Sequence, residues 1–238
     1  MRAAARRFAP DIQLCVRWTR HLLVAALVAA ALAGCGEKEE TLGDPTAVSG
    51  PGVTATAPPW KPEYSRLEAR IDQLGLPPVG DERYHTHSLV HIYNDGLLVE
   101  IPDNIGFDER NKVYASVHTH DPNGIVHMES SKPHKFTLGD FFTIWGVRFG
   151  DRTLGSLEND GEQQVHVYVN GKRIKNAPDY VMRDLDNIAI GYGTPDSFPH
   201  EPDKKPLESV TGKGKQSSCS GDPEKGDASE GCVDESAK

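Results

Sequence analysis

Six of the ten histidines in this chain fall between positions 85 and 127: His85, His87, His91, His118, His120 and His127. Imidazole is a ligand for zinc, copper, nickel and iron, and its neutral form is available near neutral pH. The spacing adds geometry. Residues two apart in a strand share a face, so His85, His87 and His91 would line one side of a strand whose Val90 and Ile92 point the other way. His118 and His120 share a face in the same manner, with Val117 and Thr119 opposite.

The segment after His120, Asp121-Pro122-Asn123-Gly124, reads as a turn into a second strand, IVHMES. If 121–124 is the loop, His118 lies across from His127. If only Asn123-Gly124 turns, His120 faces His127 and His118 faces Glu129. Both registers bring His118, His120, His127 and Glu129 to one face and send Val126 and Met128 to the core. Directly opposed Cβ atoms stand about 4.5–5.5 Å apart, within reach of one ion. The expected site is therefore a transition-metal centre for copper or zinc. Its ligands would be His118, His120 and His127, joined by His85, His87 and His91 if the two hairpins adjoin. Glu129 is placed as a ligand, an acid/base or an edge carboxylate. Calcium would need a denser set of oxygens. Half-exposed strands that merely solvate their histidines would show the same alternation, and that reading stands beside the metal. Met128 is a soft donor that alternation removes to the core. His134 and His200 are solitary, and His166 alternates between Val165 and Val167.

The elements that must hold these residues are mostly strands. HTHSLVHIY, Asn94-Asp95-Gly96 and LLVEI form one hairpin signature, and VHVYV, Asn170-Gly171 and KRI form another. Ile188-Ala189-Ile190 suggests a last strand. Tyr64, Leu67, Ile71 and Leu74 recur at three and four residues, which predicts an amphipathic helix over 62–74 ending at Gly75. Thr137-Leu138-Gly139-Asp140 resembles a capping box opening a short helix through Phe141, Phe142 and Trp145. The expected fold is mainly β: a small antiparallel or mixed sheet, as a sandwich, barrel or helix-backed sheet, with an N-terminal amphipathic helix and one short internal helix.

Arginines at 2, 6, 7, 17 and 20 precede an unbroken apolar run, Leu22 to Ala33, that is too short to span a bilayer. It ends in Leu32-Ala33-Gly34-Cys35, which resembles the signal and lipobox of bacterial lipoprotein precursors. The resemblance implies cleavage before Cys35, lipid on that cysteine, and a soluble domain on the periplasmic or extracellular side of the cell envelope. Four segments follow: a signal peptide at 1–34, a lipidated flexible tether at 35–61, a hairpin-rich domain at 62–194 and a polar tail at 195–238. The stretch HTHDPNGIVHMES, together with FTLGDFFTIWG, also resembles uncharacterised exported bacterial proteins, which implies no particular reaction.

The 238 residues carry 26 Lys+Arg against 35 Asp+Glu, a net charge of −9. Removing 1–34 takes five arginines and Asp11, so 21 basic and 34 acidic residues remain, net −13. That acidity argues against a nucleic-acid partner and against a polybasic membrane patch, leaving the lipid as the membrane anchor. Cys219 and Cys232, in an oxidising compartment, are expected to pair as a disulfide clip in the tail. No HExxH, nucleophile elbow or phosphate-binding glycine loop is present. Three functions compete. The first is an envelope lipoprotein that sequesters, delivers or senses copper or zinc. The second is a non-enzymatic domain that docks an envelope protein through exposed Phe141, Phe142 or Trp145. The third is a metalloenzyme in which Glu129 or Asp121 handles protons.

Overall fold

The computed structural model describes residues 43–79 and 83–211, and the compact unit treated below begins at Asp44. The signal segment, Cys35, Cys219 and Cys232 lie outside the described residues. The fold is mainly β, built on a mixed seven-stranded sheet. Its long central strand is β1 (Tyr84–Asn94), which turns at Asp95-Gly96 into β2 (Leu97–Val99). Both turn residues have positive φ, 48° and 79°, the backbone that matches a tight hairpin to strand twist. The short strands β3 (Phe107–Asp108) and β4 (Val113–Tyr114) pair with each other. They are followed by β5 (Val117–His118) and β6 (Ile125–Ser130), then by a small ladder of β7 (Thr153–Leu154) and β8 (Leu157–Glu158). The remaining strands are β9 (Gln164–Val169), β10 (Lys172–Arg173) and β11 (Asp186–Gly193).

The main sheet runs β10-β9-β11-β1-β6-β5, with β2 also on β1. β1 and β11 are parallel, and every other pairing in that sheet is antiparallel. β1 is shared along its length: its first half pairs with β6 and its second half with β2, while β11 runs along the other edge. The sheet is thus mixed and backed by helices on one face. On that face Val90, Ile92, Val126, Met128, Val167, Ile188 and Ile190 form the core with helices α1 (Leu67–Leu74) and α2 (Leu138–Trp145).

Both expected helices exist, within narrower limits. α1 starts at Leu67, five residues after Pro62, and stops at Gly75, whose φ of 62° is the left-handed cap. α2 opens on the capping box: Thr137 Oγ accepts from Asp140 N at 3.0 Å, and Asp140 Oδ2 accepts from Thr137 N at 2.8 Å. Phe141, Phe142 and Trp145 are fully buried, so they are core and not a docking surface.

Two boundaries differ from the expected ones. The segment 44–61, expected to be flexible tether, is packed. The Asp44 carboxylate accepts from Thr46 and from the Arg152 backbone, Thr54 bridges Val147, and Trp60 is 4% exposed against the edge of Trp145. Arg70 ties this segment down. It is fully buried, pairs with Glu63, and donates to the carbonyls of Pro51 and Ile144. At the other end, 195–211 is not open tail. Phe198 packs on Tyr93 and Tyr168, and helix α3 (Lys205–Thr211) sets Leu207 and Val210 on Leu89 and Ile125. Single apolar anchors in a Pro-, Thr- and Gly-rich background leave no periodicity to read.

If residues 44–61 belong to the fold, Trp60→Ala should cost the roughly 3–5 kcal/mol of a large-to-small core change. Chemical denaturation of the purified protein measures it. A tether residue would give no detectable change.

Candidate metal centre

The site is built by β6 and its two neighbours. In the ladder, β6 lies between β1 and β5, with His87 opposite His127 and His118 opposite His127 on the other edge. Three histidines therefore form one row across three strands. His85 opposite Glu129 forms the next row. The observed pairing of His118 with His127 is the four-residue-loop register of the two expected ones. Gly124 makes it possible, because its φ is 80° and a Cβ there would overlap the Val90 carbonyl oxygen. As alternation requires, Val126 and Met128 point into the core.

Along this face the row next to His87–His127 is Leu89–Ile125, which α3 covers. The cluster thus sits where the second face of the sheet emerges from under its apolar roof. Burial is graded: His118, His87 and Glu129 are buried, His85 and His127 are half-buried, and His120 is exposed. Phe107 closes one side, its ring 5.4 Å from that of His118 and 5.3 Å from that of His120.

The donor atoms converge around one carboxylate oxygen. Glu129 Oε1 lies 3.1 Å from His85 Nε2, 3.6 Å from His118 Nε2 and 3.9 Å from His127 Nδ1. His118 Nε2 is 3.1 Å from His120 Nε2, and His85 Nε2 is 3.1 Å from His127 Nδ1. A tetrahedral ion with bonds of about 2.0–2.1 Å sets its donors about 3.3 Å apart, close to these separations. Two groups can hold a metal ion: His118, His120, His127 and Glu129, and His85, His87 and His127.

His118 is oriented for this. Its Nδ1 is 2.9 Å from the Ala115 carbonyl oxygen, an acceptor only, so that nitrogen carries the proton. In the neutral ring the Nε2 lone pair then faces His120 Nε2 at 3.1 Å and Glu129 Oε1 at 3.6 Å. Protonation is a poor way to satisfy it. Burial first, then the neighbouring His120, lowers the His118 pKa to about 4. Burial, followed by the surrounding imidazoles, lowers His127 to about 2, and burial followed by His85 lowers His87 to about 4. Lone pairs beside a carboxylate, in a place that resists protons, are an arrangement that could hold a metal ion.

Of the seven expected ligands, six are brought together and His91 is not. It is on the same face but four residues beyond His87, about 13 Å along the strand, and it stacks near Tyr93. Sharing a face was necessary and not sufficient. Asp121, weighed as a proton handler, is exposed. Sequence reasoning missed the Ala115 carbonyl, since a backbone acceptor has no sequence signature. It also missed Phe107, which sits on the two-residue strand β3, too short to show any periodicity. His166 is buried on β9, outside both groups.

No protein-family model, curated protein or solved structure matches the chain. The geometry above is therefore the ground for any functional reading.

The depressed histidines set a pH dependence for the metal-free protein. His87, His118 and His127 resist protons when folded but titrate near 6.5 when unfolded, so below that pH the unfolded chain binds more protons. Their contribution is intact above about pH 6.5 and is lost as the pH falls, toward 4 for His87 and His118 and on toward 2 for His127. The urea midpoint of metal-free protein should drop over that window, and His127→Gln should flatten the drop. A midpoint independent of pH from 7 to 4 would contradict the burial described here.

Proposed function

We propose that this protein is a lipid-anchored protein of the bacterial cell envelope whose domain binds a divalent transition metal, zinc or copper(II), for sequestration, delivery or sensing. The observation that carries the metal is the convergence of three histidine nitrogens on Glu129 Oε1 at 3.1–3.9 Å, with His118 held in the ligand tautomer by Ala115. The donor chemistry supports the choice of ion. Nitrogen with one carboxylate suits zinc and copper(II), while copper(I) favours thiolate or thioether sulfur. Met128, the thioether nearest in sequence, is turned into the core. The exposed edge at His120 supports capture of an ion from solution into ligands that are already buried.

The anchor rests on Leu32-Ala33-Gly34-Cys35 and the basic, apolar segment before it. Among the described residues no helix is long and apolar enough to cross a membrane. Attachment through lipid on Cys35 would leave the acidic domain in the aqueous phase, where exchangeable metal is met. The Cys219–Cys232 clip belongs to the same picture of an oxidising compartment.

Calorimetric titration of the purified protein with zinc or copper(II) should show saturable binding, and a hundredfold excess of ion over Kd should stabilise the fold by about 2.7 kcal/mol. His118→Ala and Glu129→Gln should each weaken binding more than roughly tenfold, a loss that even supporting residues around metals produce. His91→Ala should leave it unchanged. Failure of both ions to bind would dismiss the metal reading. Cys35→Ser should move the protein from the membrane fraction to the soluble fraction, and continued membrane association would dismiss the lipid anchor.

A further inference from the structure

We propose that the cluster seats two metal ions side by side, with His127 shared between them. The inference rests on the metal-binding reading above and concerns how many ions the site takes. Donors on a single ion with bonds of about 2.1 Å can be no more than about 4.2 Å apart. The six residues instead fall into two groups whose common member is His127.

Strand order explains the division. β1 and β5 flank β6, and with strands about 4.8 Å apart the backbones carrying His87 and His118 are separated by roughly 10 Å. His85 and His87 come from one side and His118 and His120 from the other. Each pair is close within itself, with ring centroids 4.5 Å and 4.7 Å apart. His127 lies between the pairs and is in ring contact with all four, at 5.4 and 4.7 Å on the β1 side and 5.5 and 4.6 Å on the β5 side.

An imidazole has two nitrogens and can serve two ions when its ring proton is lost to solvent. His127 Nδ1 is 3.1 Å from His85 Nε2 and 3.9 Å from Glu129 Oε1, so Nδ1 is the nitrogen turned to the β1-side donors, and sharing the ring would leave Nε2 for the β5-side ion. Glu129 Oε1 stands 3.1 Å from His85 Nε2 and 3.6 Å from His118 Nε2, so its negative charge faces both positions. Two dications next to one imidazolate and one carboxylate repel less than two dications among neutral rings alone. The β1-side ion would have His85, His87 and His127, and the β5-side ion His118, His120, His127 and Glu129. Neither set requires His91.

Native mass spectrometry of the full protein titrated with zinc(II) alone should show two ions per chain. His87→Ala and the exposed-site variant His120→Ala should each retain one. Copper(II) alone should give two ions whose paramagnetic resonance intensity falls below that of the copper bound, because a shared imidazolate couples their spins. One ion per wild-type chain overturns the pair while leaving the metal-binding reading intact. Two ions with full, uncoupled spin intensity overturn the sharing of His127. No bound ion overturns both readings. Circular dichroism of the two variants checks that lost stoichiometry is not lost fold.

Discussion

Everything about the site depends on the antiparallel ladder between β1 and β6. Its register sets His87 against His127 and His85 against Glu129, and a slip of β6 by one residue would turn His127 and Glu129 into the core. What prevents the slip is the other face. Val90, Ile92, Val126 and Met128 fill a close-packed interior with α1 and α2, and that interior would have to accept an imidazole and a carboxylate instead. The apolar face therefore specifies the polar one. β11 reinforces the arrangement by running parallel along the far edge of β1 over seven aligned residues.

The chemistry that results comes from contrast between neighbours. On one face of β1 and β6, Leu89 and Ile125 are sealed beneath α3, and the next pair along is His87 and His127. Apolar surroundings keep the rings neutral, and neutral rings offer lone pairs. Glu129 supplies the negative charge that those lone pairs alone would lack, and the Ala115 carbonyl decides which nitrogen of His118 is available. A cluster of histidines in free solvent would have none of these biases.

Much of this was legible in the sequence, and the parts that were not share a cause. Period-two alternation identified the shared face and the inward Val126 and Met128, and turn chemistry located the hairpins at Asn94-Asp95-Gly96 and Asn170-Gly171. The count of loop residues narrowed the pairing of His118 to two registers, one of which is observed. Alternation could not say how far along a strand a site extends, so His91 was included although it stands well beyond the donors. Periodicity was also silent wherever packing depends on single anchors. Trp60, Asp44 and Arg70 integrate the segment before α1, and Phe198 and Leu207 integrate the one after β11, yet none belongs to a repeating pattern. The parallel pairing of β1 with β11 joins residues about a hundred positions apart, which local signals do not encode.

That long-range pairing has a consequence for the order of assembly. The β5–β6 hairpin closes over a loop of a few residues and contains His118, His120, His127 and Glu129. β1, which carries His85 and His87, joins that hairpin from about forty positions away, and β11 lines its other edge from about a hundred. Short loops close earlier and at lower entropic cost than long ones. One half of the centre thus belongs to a local element, and the other half comes from a strand that must find it across a longer stretch of chain.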